Sequence, residues 1–184
     1  KQIVEENYKT FETTEEFLEA AKEIGVDATG ATGFFIEKGT GKVFIDLQRA
    51  QEVGKITIGT HEVLHALLDP YLKDPAEVSR LVKELKKQLS FEELTEVQRK
   101  MDMQNQDVEK EFFNAFNDAI KDGSIEYSPA KSKNYLGIGK AITNIFKKTP
   151  AKNAEFNSGK DVYEFIKNYT EGELGFVPKE RKAT

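Results

Sequence analysis

Five residues, His61-Glu62-Val63-Leu64-His65, constrain this chain more than any other stretch. They contain both of its histidines, four positions apart, with Glu directly after the first. Two histidines scattered at random over this length would show that spacing and that neighbour only about once in a thousand sequences, so the pattern is a signal. On an α-helix residues i and i+4 share a face one turn apart, which lets two imidazoles grip one ion. Glu62 projects about 100° around the helix from His61, beside such an ion without ligating it. This is the arrangement of a hydrolytic zinc centre, in which the metal lowers the pKa of a bound water to about 7 and the neighbouring carboxylate takes its proton. The competing reading is a helix that happens to carry two histidines.

The rest of the composition narrows what could complete such a centre. The chain has 184 residues and no Cys, which excludes thiolate zinc sites, disulfides and cysteine nucleophiles. Any metal must be held by His, carboxylate and water. With a third of the residues charged and a formal net charge of -5, a general nucleic-acid binder is not expected. No apolar run reaches the roughly 18 residues needed to span a bilayer, so no membrane partner is expected either. The absence of Cys and of a membrane-spanning run favours a cytoplasmic or virion-associated location and leaves the compartment open. A length of 184 residues suggests a single domain, 1-184, with a sheet, hairpin and histidine helix in 1-70 and a helical part in 71-184. The chain starts at Lys1 and not at Met, which leads to the expectation of a piece of a larger polypeptide.

Local signals place the elements around the histidines. Thr13 with Glu16 forms a capping box before a helical stripe of Phe17, Leu18, Ala20, Ala21 and Ile24, and Gly25 stops it. Gly33 to Glu37 and Lys42 to Leu47 are β-prone runs either side of Lys38-Gly39-Thr40-Gly41, a hairpin whose edge could accept an extended peptide. In the histidine helix Val63, Leu64 and Leu67 point away from His61 and His65, so one side is expected to be buried and the other to face a cleft. Pro70 is expected to end it. Asp69 shares the histidine face, but about 12 Å of rise separates it from His61, so a salt bridge or cap is expected of it and not ligation. Asp74-Pro75 caps a helix with Val78, Leu81, Val82, Leu85 and Leu89 inside, and Ser90 starts another running to about Met103.

Catalytic zinc normally has three protein ligands, and no third His exists, so a carboxylate must complete the set. The best segment is 107-120, whose stripe of Val108, Phe112, Ala115, Phe116, Ala119 and Ile120 marks an amphipathic core helix. Glu111 and Asp118 fall together on one border of that stripe, flanking Ala115, and Glu109 on the other. Glu111 is the chosen third ligand and Asp118 a partner that orients a ligand, with Asp118 retained as the alternative ligand.

The H-E-V-L-H helix, followed about 45 residues later by an acidic-aromatic helix, resembles the zincin metallopeptidases of the gluzincin type. In thermolysin-like members a Glu stands four before an Asp; here Ala115 stands four after Glu111. The segments 43-68 and 158-163 also resemble zincin-like domains within very large phage virion proteins. The resemblance implies a mainly helical α+β fold with a small sheet before the histidine helix. It also implies a Zn2+ cofactor and a peptide or protein substrate. A His or Tyr often stabilises the oxyanion in such enzymes; with no His to spare, Tyr71, Tyr127 and Tyr135 are the candidates. The alternative is a catalytically silent zincin-like assembly module of a larger, phage-type protein.

In the C-terminal third, 134-148 is expected to be a helix burying Leu136, Ile138, Ala141, Ile142, Ile145 and Phe146, and a last helix starts at Ser158 or Asp161. The lysines at 131, 133, 140, 147, 148 and 152 are expected to be a solvated face.

Overall fold

The computed structural model describes residues 8–30, 33–35, 43–57, 60–104 and 108–169. It is a mainly helical α+β protein with one small sheet, and no helix among the described residues is long and apolar enough to cross a membrane. The chain divides into two compact units. The first gathers the described residues up to Pro70 together with Phe146–Ala154, and the second holds 71–145 with 155–169.

The first unit is built on a three-stranded sheet of β1 (Tyr8–Phe11), β2 (Gly33–Phe35) and β3 (Val43–Asp46), in the order β1-β3-β2. β2 pairs antiparallel with β3, Phe34 opposite Phe44, which is the hairpin expected from the alternating runs; its turn, 36–42, lies outside the described residues. β1 pairs parallel with β3, Lys9 opposite Phe44.

Helix α1 (Thr14–Glu23) begins where Thr13 accepts a hydrogen bond from the Glu16 amide at 3.2 Å. It ends in a Schellman motif: the Val26 amide reaches the Ala21 carbonyl, the Gly25 amide reaches that of Lys22, and Gly25 takes the left-handed φ of 80°. Phe17, Ala21, Val26 and Ala28 form its core with Phe11, Leu18 and Phe44, the Phe11 and Phe44 rings meeting edge to face at 4.9 Å. Asp46, wholly buried at the end of β3, caps α2 (Leu47–Glu52) through the Arg49 amide. Asn153 then closes the far end of α2 by donating to the Gln51 carbonyl at 3.0 Å.

Helix α3 (His61–Leu72) is entered through a turn in which Thr60 Oγ1 donates to the Thr57 carbonyl and accepts from the Thr57 amide. Pro70 lies inside α3 and does not end it. Its missing N–H costs one rung near the end of the helix, where few rungs remain to be lost. The sheet rests on this helix at Gly33, where an added Cβ would stand 2.7 Å from Val63 Cγ2 and 2.8 Å from the Phe44 carbonyl oxygen. Both contacts are too close to keep. Gly33→Ala is therefore expected to cost about 1–3 kcal/mol by forcing the strand off the helix, measured as a shift in the chemical-denaturation midpoint.

The second unit contains α4 (Pro75–Gln88), α5 (Phe91–Gln104), α6 (Val108–Lys121), most of α7 (Ser132–Phe146) and α8 (Gly159–Lys167). α6 is its axis: α4, α5 and α8 all pack on it. The reason is composition, since Phe112, Phe113, Ala115, Phe116, Ala119 and Ile120 are all buried and alternate large with small, which lets neighbouring helices approach. The expected caps are present: Asp74 accepts from the Ala76 amide at 3.1 Å, and Ser90 with Glu93 forms a reciprocal capping box.

α7 departs from its expected stripe. Leu136 is 42% exposed, and Tyr135, at 1%, takes the inner position beside Ile138, Ile142 and Ile145. The ring has a polar partner inside: its hydroxyl donates to Glu93 Oε2 at 2.9 Å, and Lys131 Nζ lies 3.2 Å from the same oxygen. Burial, with Glu93 adding to it, pushes the Tyr135 hydroxyl far above its usual pKa, so it stays protonated as a donor. Tyr135→Phe keeps the ring and strands part of a buried carboxylate. The expected loss is about 1–2 kcal/mol, read from urea denaturation.

Candidate functional site

The geometry of α3 decides what the two histidines can do. His61 and His65 are 5% and 3% exposed, one helical turn apart, with ring centroids 5.7 Å apart and planes at 50°. An imidazole nitrogen binds zinc at about 2.0–2.1 Å, which puts the ring centre about 3.2 Å from the ion. Two rings can then share an ion only if their centres lie within about 6.4 Å, and this pair meets that condition.

The environment of the pair differs from the expectation in one respect. Val63, Leu64 and Leu67 are buried as foreseen, and Leu68 with them, but the histidine face is buried too, and Asp69 on the same stripe is only 4% exposed. Such a setting suits ligation, since few waters compete for the imidazole nitrogens. Glu62 lies on the helix between the histidines; its side chain is outside the described residues.

Glu111 is in the first turn of α6 and 5% exposed, whereas Glu109 on the same helix is half-buried and Asp118 is exposed. A carboxylate hidden to that degree is costly unless a hydrogen bond, a cation or protonation compensates it. Burial therefore separates Glu111 from the other acids of its helix, a distinction that the sequence expressed only as a position on the border of the stripe. The histidines belong to the first unit and Glu111 to the second. Among the described residues no group of three or more His, Asp or Glu side chains is assembled around a point where an ion could sit. The histidine pair meets the distance condition for sharing one ion, and Glu111 is a buried carboxylate of the second unit.

Of the three tyrosines considered for oxyanion stabilisation, Tyr135 is committed to Glu93. Tyr127 meets Tyr135 edge to face at 5.9 Å and Tyr163 at a tilt at 5.7 Å, and the Tyr163 hydroxyl donates to the Ile125 carbonyl. Tyr71, at the end of the histidine helix, is 1% exposed, and burial, with the nearby Glu77 charge, raises its pKa. All three read from the sequence as isolated candidates. What the sequence did not reveal is that Tyr127, Tyr135 and Tyr163 form one aromatic cluster, because they come from a connecting segment and from two different helices, α7 and α8.

No protein-family model, curated protein or solved structure matches this chain.

Proposed function

We propose that this chain is a zinc-dependent metallopeptidase. The observation that carries the reading is the buried pair on α3, two imidazoles of one helix with centroids 5.7 Å apart and the motif glutamate between them. His61 and His65 would hold the ion, with a carboxylate completing the set, and Glu62 would accept the proton of the attacking water. Zinc, when bound by such a set, supplies a water acidified to about pKa 7 and polarises the scissile carbonyl. The sheet supports the same reading. β2 has β3 on one side in the strand order β1-β3-β2, and it bears directly on the histidine helix through Gly33 and Val63. An extended peptide added along β2 would lie as a further strand beside that helix.

The test is metal analysis of protein prepared with excess zinc, joined to cleavage of a peptide library. About one zinc per chain is expected, with library peptides cut, and His65→Ala should lose both. Folded wild-type protein that takes up no zinc would overturn the reading. Zinc without turnover would instead assign the chain to the silent assembly modules.

A further inference from the structure

We propose that Asp69 is a positioning residue for His65, an inference that rests on the metallopeptidase reading above. Asp69 is placed where a helix tolerates an acid least. It stands in the last turn of α3, where the helix dipole disfavours negative charge. It precedes Pro70, which disfavours the helical conformation of the residue before it. It is also 4% exposed, so its carboxylate has left bulk water. Three local rules are broken at one position, and such concentrations mark functional sites more often than random faults.

The register supplies the role. His61, His65 and Asp69 follow one another at intervals of four, all three buried, on one stripe of one helix. Side chains of a helix lean toward its N-terminus, so the Asp69 carboxylate leans over the turn that carries His65. Cβ atoms four residues apart are about 5–6 Å from one another, which lets a carboxylate oxygen come within hydrogen-bond range of an imidazole Nδ1. An imidazole that binds an ion through one nitrogen presents an N–H at the other, and an acceptor there fixes both the tautomer and the orientation of the ring. His61 is eight residues from Asp69 and about 12 Å along the axis, so the effect is confined to His65 and Asp69 itself cannot join the ligand set.

The chain has only two histidines, which makes the experiment direct. Wild type, Asp69→Asn and Asp69→Ala are compared by zinc competition against a chelator and by imidazole 15N and 1H spectra of the zinc form. The expected wild-type spectrum contains one exchange-protected, downfield N–H assigned to His65. Asn, which can still accept, should weaken zinc by up to about tenfold and Ala by about 10–100-fold, with the downfield proton displaced in both. A wild type that binds no zinc removes the metallopeptidase reading and this inference with it. A wild type that binds zinc but shows no protected His65 N–H overturns the role of Asp69 alone, even should both variants fail to fold. Variants that bind zinc as tightly as wild type, with the His65 signals unmoved, do the same.

Discussion

Glu62→Gln is expected to keep its zinc and its fold while turning over peptide substrate at least about a hundredfold more slowly. Glutamine has the shape of the glutamate it replaces but cannot accept a proton at neutral pH, so only proton transfer is removed. A positioned general base contributes about 10²–10⁴-fold to a rate, which sets the size of the loss. The fall should appear in kcat, because substrate binding does not depend on that proton. The contrast with a ligand variant is the diagnostic part. His65→Ala takes away one of two imidazoles whose rings stand 5.7 Å apart, and with it the ion, so zinc content and activity should disappear together. Zinc content and steady-state rates measured on the same preparations separate the two. Loss of zinc from Glu62→Gln would make Glu62 a ligand, and undiminished turnover would place the proton acceptor elsewhere.

What could be foreseen from the residues follows from how local the cause is. Caps and stops depend on neighbours within six positions, so Thr13 with Glu16, Ser90 with Glu93, Asp74 before Pro75, and Gly25 were all legible. The β2–β3 hairpin was legible for the same reason. β1 was not. It is four residues long, carries no turn signal, and exists as a strand because β3, 35 positions later, pairs with it in parallel. The exchange of Leu136 for Tyr135 on the inner face of α7 has a similar origin, since Glu93, 42 residues away, supplies the acceptor that makes a buried hydroxyl tolerable. At the candidate site the histidine register could be read directly, but burial could not. The sequence offered Glu109, Glu111 and Asp118 as acids of one helix, and packing leaves only Glu111 nearly inaccessible. Asp69 was assigned to a salt bridge or cap because distance excluded ligation, and nothing local announced that it would be buried.

The helix that carries Glu111 depends on a residue six positions further on, and Asn117→Asp should be among the most destabilising single substitutions in the second unit. Asn117 is 6% exposed, and its Nδ2 donates to the Ile166 carbonyl at 2.6 Å and to the Tyr169 carbonyl at 3.1 Å. These oxygens lie at and just past the C-terminal end of α8; that of Ile166 also takes the Tyr169 amide at 3.1 Å, and the Asn117 side chain adds a donor from α6 to both. Ala at this position removes both bonds, although the Ile166 carbonyl keeps the Tyr169 amide, for about 1–3 kcal/mol. Asp is worse by a further mechanism: a carboxylate has no donor and sets negative charge against the negative end of the α8 dipole, raising the loss to about 3–5 kcal/mol. Against a domain stability of about 5–15 kcal/mol that is a large share. The sign of the pH dependence is also fixed. The variant carboxyl would have a raised pKa in the folded state, so its penalty should shrink as pH falls, because the protonated form regains one donor. Urea denaturation of the two variants at pH 7 and pH 5 checks the order Asp below Ala and the partial recovery of Asp. Asp within about 0.5 kcal/mol of wild type at pH 7 would mean that α8 is not held to the Glu111 helix through Asn117.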